Sequence, residues 1–153
     1  MKSPSQLYWV LVADSGSARI FELRKAPAEF CEVHSLVSDA LHKRNSDLVS
    51  DGSGRSFNTR GPSGHSKEQK SDPHDLAEQE FSRKLVEKLE LAAHMGVFEK
   101  LMIIADPKTL GRLRPLMSKP LRKQITHEVN LDLVGMPQEK LKQKIKAQLG
   151  WVD

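Results

Sequence analysis

Cysteine is almost missing from this chain, with Cys31 the single example. No intramolecular disulfide can form, and no cysteine cluster can bind a metal. Aromatic residues are also scarce, at 5% of the sequence, so there is little material for a base-stacking surface. Long apolar runs are lacking too, and none approaches the roughly 20 residues that a bilayer-crossing helix needs. Near the start, the apolar run Leu7 to Ala13 is cut off by Asp14 and Gly16. A secretory signal would be longer and would close on a small-residue cleavage site. These absences lead to the expectation of a cytoplasmic protein in a reducing compartment, without a membrane span.

The common catalytic signatures are missing as well. There is no phosphate-cradling Gly-x-x-x-x-Gly-Lys loop and no Gly-x-Ser-x-Gly elbow. His34, His42, His65, His74, His94 and His127 show no metal-ligand spacing. No metal and no small-molecule cofactor is therefore expected. Cys31 has no companion that would mark it as a nucleophile and reads as a small core residue. His34 and His127 read as paired sheet residues, and Tyr8, Trp9 and Phe81 as core.

What is present suits one domain spanning residues 1–153, long enough to bury a core unaided. The formal charge is only +4, but it is unevenly spread. Between Pro107 and Leu149 ten Lys or Arg face three Asp or Glu, a local +7 that leaves −3 for the remainder. A basic third can serve a phosphate backbone or an acidic partner, or can simply be a solvated helix face.

The order of elements is legible from hydrophobic pattern. Leu7 to Ala13 is a continuous apolar run of strand length, as in a strand buried on both faces. Asp14-Ser15-Gly16-Ser17 makes a turn, Ala18 to Leu23 a second strand, and Phe30 to Leu36 a third. From His42 to His74 only Leu48, Val49 and Phe57 are large and apolar, and four glycines interrupt the segment. This reads as a long, mobile Gly/Ser-rich loop over 42–74. Asp72 and Pro73 then suit the start of a helix. Ala77, Phe81, Leu85, Leu89 and Ala92 mark its buried stripe, and Gly96 its end. Leu101 to Ala105 is a short buried strand stopped by Asp106-Pro107. Leu110, Leu113 and Met117 mark a second helix that Pro115 kinks or shortens. Ile125 to Leu131 alternates like a half-buried strand. Pro137 opens a last helix with Leu141, Ile145 and Leu149 inward. The predicted class is α/β, a mixed five-stranded sheet in the order β-β-β-(long loop)-α-β-α-β-α.

That order resembles the ribonuclease H-like fold and the middle domain of archaeal and eukaryotic peptide-chain release factors. The wording of WVLVADSGSARIFE, AEQEFSRKLVEKLELAAHMGVFEKLMIIADPKTLGRLRPLMS and ITHEVNLDLVGMPQEKLKQKI is similar to the bacterial host-attachment protein family. Its members are small proteins named for a requirement in attachment to host cells. The likeness to release factors implies that the long loop occupies the place of a Gly-Gly-Gln tripeptide, which positions a water against the peptidyl-tRNA ester. No Gly-Gly-Gln occurs here. Gln69 is the isolated candidate for that role, and Arg55, Arg60, Lys67 and Lys70 could meet phosphates.

Two readings follow. In the first, the chain is a non-enzymatic module that binds RNA or the ribosome, using the loop cations together with Arg112, Arg114, Lys119 and Arg122. Those last four are expected to face solvent in the kinked segment after the second helix. In the second, it is an enzyme, either an ester hydrolase on peptidyl-tRNA through Gln69 or a metal-dependent nuclease. The nuclease would use Asp14 and Asp106 at neighbouring strand ends, with Glu80 or Glu87 as third carboxylate. Against it, Asp14 opens a turn, and Asp106 precedes Pro107 where it can cap a helix.

Overall fold

The computed structural model describes residues 7–25, 28–41 and 72–151. Strand β1 (Leu7–Ala13) is central, with Tyr8 through Ala13 all buried. Burial on both faces is why it lacks polar alternation. It pairs antiparallel with β2 (Ser17–Lys25), which pairs antiparallel with β3 (Ala28–Val37). Strands β2 and β3 both run further than their apolar centres indicate.

Helix α1 (Pro73–His94) starts at Asp72, whose side chain accepts from the His74 amide at 3.3 Å. The helix thus takes in the last two residues of the predicted loop span. It ends before Gly96, which supplies the left-handed φ of 73° that an L side chain resists. Strand β4 (Lys100–Ala105) then lies parallel to β1 on the side away from β2.

Helix α2 (Pro107–Leu113) is short, as Pro115 dictates: the chain tightens into a single 3-10 turn at Arg114–Leu116. An additional helix, α3 (Lys119–Gln124), follows where only a kinked segment is expected. The Ser118 side chain accepts from the Leu121 amide to cap it, and Pro120 sits in its first turn, where no amide is needed. Strand β5 (Ile125–Val129) is parallel to β4 and stops two residues short of Leu131, which is exposed. Helix α4 (Gln138–Leu149) closes the order.

The sheet order is β3-β2-β1-β4-β5. One face is covered by α1, α2 and α3, which pack Phe81, Leu85, Leu89, Leu110, Leu113 and Leu121 on Trp9, Leu11, Ile20, Leu101 and Ile103. The other face is covered by α4, whose Leu141 and Ile145 sit on Tyr8, Val10, Val12, Phe21, Met102 and Ile104. Among the described residues no helix is long and apolar enough to cross a membrane.

Strand β3 departs from simple alternation. Its register to β2 shifts between Ile20 and Phe21, so that Phe21 pairs with Glu32 and Ile20 with His34. The extra residue, Val33, turns Leu36 toward the helix-covered core. Cys31 is exposed rather than a small core residue. It sits on β3, an edge strand of the sheet.

Candidate functional site

Ala13 and Ala105 are register partners in parallel strands, so the next residues, Asp14 and Asp106, leave the sheet together. The chain turns from β1 toward β2 on one side, while β4 lies on the other. A crevice outside the carboxyl ends of strands at such a branch point is where open α/β sheets bind ligands. Here it is a cleft of about 560 Å³ lined by Asp14, Ser17, His74, Glu78, Asp106 and Asp132, among others.

The two strand-end carboxylates are committed to local structure. Asp14 Oδ1 accepts from the Gly16 amide at 3.0 Å, the Ser17 amide at 2.8 Å and the Ser17 hydroxyl at 2.9 Å. This closes the β1–β2 turn. Asp106 accepts from the Thr109 hydroxyl at 2.6 Å and the Thr109 amide at 3.2 Å, capping α2. Neither Glu80 nor Glu87 joins them, since both are ion-paired with Arg83 on the exposed side of α1. Among the described residues, no group of three or more His, Cys, Asp or Glu is placed to hold a metal ion.

The carboxylate that α1 does bring to the cleft is Glu78, with its side chain only 6% exposed. Arg112 donates to it and also to Asp75, one turn earlier. Lys108 Nζ lies 3.5 Å from Glu78 Oε1, and His74 Nε2 lies 3.2 Å from Oε2. Burial pushes the Glu78 carboxyl up. The hydrogen bond and charge of Arg112, the charge of Lys108 and the Ser15 hydroxyl outweigh it, so the pKa lies below the ordinary carboxylate value. Glu78 was visible in the sequence only as an anomaly. The apolar stripe of α1, followed back one turn from Phe81, falls on Ala77 and Glu78, a charge where a core residue belongs.

The predicted cationic site is rearranged. Arg112 belongs to α2 itself and turns inward to α1, so it is not a solvent-facing cation of the following segment. Two α1 carboxylates one turn apart, the buried Glu78 and the partly exposed Asp75, draw it there. Arg114 pairs with Glu128 at 2.6 Å, and Arg122 donates to the Arg114 carbonyl at 2.9 Å. Both line a groove of about 710 Å³ beside β5. Lys119 is exposed at the start of α3. Gln69, Arg55, Arg60, Lys67 and Lys70 lie outside the described residues. Tyr8, Trp9 and Phe81 are buried, and Trp9 stacks on Phe98 with ring centroids 5.0 Å apart. His34 meets the edge of Trp9, and desolvation, with Lys88 nearby, lowers its pKa.

The family described as "Protein required for attachment to host cells" matches residues 9–145. An uncharacterised protein of Rickettsia prowazekii (strain Madrid E) is 36% identical over 62 residues, covering 39% of this chain and 41% of that protein. Among solved structures, an archaeal translation termination factor aligns with 94% of this chain and 39% of its own, at 11% identity and a TM-score of 0.49. A structure titled only as an archaeal protein aligns with 94% of this chain and 40% of its own, at 12% identity and a TM-score of 0.46. The chain thus spans about two fifths of the length of each of these relatives.

Proposed function

The chain belongs to the family of proteins required for attachment to host cells, and from that premise we propose that it is a non-enzymatic cytoplasmic module that binds RNA or the translation machinery. Attachment would then depend on it indirectly, through what it binds. The observation that carries this reading is how the charges are disposed. The carboxylates best placed for catalysis, Asp14 and Asp106, are spent on a turn and a helix cap. Meanwhile Lys119, Lys123, Lys140, Lys142 and Lys144 form no ion pair among the described residues. Unneutralised lysines are point charges that suit sequence-independent contact with phosphates.

Co-sedimentation of the purified protein with bacterial ribosomes across a salt series tests this. Binding that weakens steeply as salt rises is the expected result. No sedimentation even at low salt would overturn the reading.

A further inference from the structure

Strand β5 is the last strand of the sheet, so only one of its edges is paired, with β4. Backbone amides and carbonyls of alternate residues point to opposite edges of a strand. Half of those in β5 therefore face away from β4. The two ends are closed: the Ile125 amide donates to the Arg122 carbonyl, and the Leu131 amide to the Val129 carbonyl at 3.1 Å. Between them, at Thr126, His127 and Glu128, no described residue outside β4 bonds to the backbone. The strand holds neither lysine nor proline, the residues that commonly blunt an exposed edge.

A groove of about 710 Å³ runs along this edge. A hollow on one face of a strand touches alternate residues, whereas this one touches residues 125–128 in succession. Its other wall is Gly111 of α2, Arg114 and Pro115 of the 3-10 turn, and Arg122 of α3. Pro115, Met117 and Ile125 give it apolar surface. Gly111 leaves it open, since a Cβ built there meets nothing within 4 Å.

We propose that this groove takes an extended, acidic segment of a partner protein, added as a sixth strand alongside β5. The free edge fixes the location, and charge sets only the sign of the occupant. Residues 107–129 hold six Lys or Arg and one carboxylate, Glu128. Lys108 and Arg112 are committed to Glu78, and Arg114 to Glu128. Arg122 lines the groove and forms no ion pair among the described residues. Lys119, exposed and likewise without an ion pair, lies three positions earlier on the same side of α3. Glu90 of α1 approaches only at Ser118, where it accepts from the amide and the hydroxyl. A phosphodiester fits this edge less well, because the edge presents carbonyls as well as amides and a phosphate brings acceptors alone. No Phe, Tyr or Trp lines the groove to stack a base. A second copy paired edge to edge would set the basic wall against its own image. The proposal does not rest on the RNA-binding reading.

The test is an amide NMR titration of the protein with a pool of capped heptapeptides in which glutamate alternates with Val, Ile, Tyr or Phe. Saturable shifts at Thr126, His127, Glu128 and residues 111–117 are expected, with Kd at or below about 1 mM. A matching pool with lysine for glutamate should bind at least about tenfold more weakly at low salt. Gly111→Phe fills the groove and should also weaken binding at least about tenfold. Its melting temperature should equal or exceed that of wild type, since glycine is a poor helix residue. Lys119→Glu/Arg122→Glu should weaken binding most at low salt, whereas Lys140→Glu/Lys144→Glu on α4 should not. No saturable shift, equal binding of the lysine pool, or equal loss in the α4 variant would overturn the proposal. So would oligouridine shifting these amides where the peptides do not. Peptide binding without ribosome binding would leave this inference standing while the RNA-binding reading falls, and the reverse result would do the opposite.

Discussion

Glu78 of α1 is ion-paired with Arg112 of α2, and the pair ties the start of the long helix to the helix that follows β4. Both side chains are largely withdrawn from water, at 6% and 16% exposure. Arg112→Ala would leave Glu78 buried with Lys108, His74 and the Ser15 hydroxyl for compensation. Breaking one partner of such a pair is costly. We expect a loss of about 2–3 kcal/mol, at the low end because the Lys108 ammonium remains beside Glu78. A urea unfolding midpoint unchanged from wild type would contradict this.

The same pair sets an acid response. The Glu78 pKa is lower in the fold than its ordinary 4.5. Its stabilising contribution is therefore complete above that value and disappears as pH falls through the folded pKa. The melting temperature should drop on acidification below about pH 4.5. Glu78→Gln should start lower at neutral pH and fall less steeply. Parallel acid profiles for the two proteins would mean that Glu78 does not carry the effect.

Asp14 and Asp106 serve local structure, so their substitution should cost stability and no cleavage activity. Asp106→Ala removes the α2 cap and should cost about 1 kcal/mol. Asp106→Asn should cost less, because the amide oxygen can still accept. Incubating RNA with wild type and with Asp14→Asn or Asp106→Asn, in the presence of magnesium or manganese, checks the chemistry. Metal-dependent cleavage by wild type that either variant abolishes would establish the nuclease reading instead.

Arg19 reaches from β2 to the loop before α4, donating to the Val134 carbonyl at 2.9 Å and the Met136 carbonyl at 2.7 Å while pairing with Glu32. Arg19→Met keeps much of the stem but leaves both carbonyls unserved. About 2 kcal/mol should be lost. Amide hydrogen exchange should quicken in the 131–136 loop before it does in β1. Uniform acceleration would show that the clamp acts on global stability alone.

Much of the fold was legible in the sequence because burial leaves a periodic record. The unbroken apolar runs Leu7–Ala13 and Leu101–Ala105 announced strands covered on both faces, and the stripe through Phe81, Leu85 and Leu89 announced α1. Asp72 and Gly96 made the ends of α1 local decisions, whereas the helix that Ser118 opens was too short to show a period. What no local pattern could reveal was who meets whom. The bulge at Val33 reassigned the faces of β3, and Arg112 became a buried partner of Glu78, which lies 34 positions away in the chain. The basic C-terminal third, continuous in sequence, was divided between opposite faces of the sheet because α3 and α4 enter it from different sides. Sequence sets the period and the caps, which depend on neighbours along the chain. Charge pairing depends on neighbours in space, and only the packed sheet supplies those.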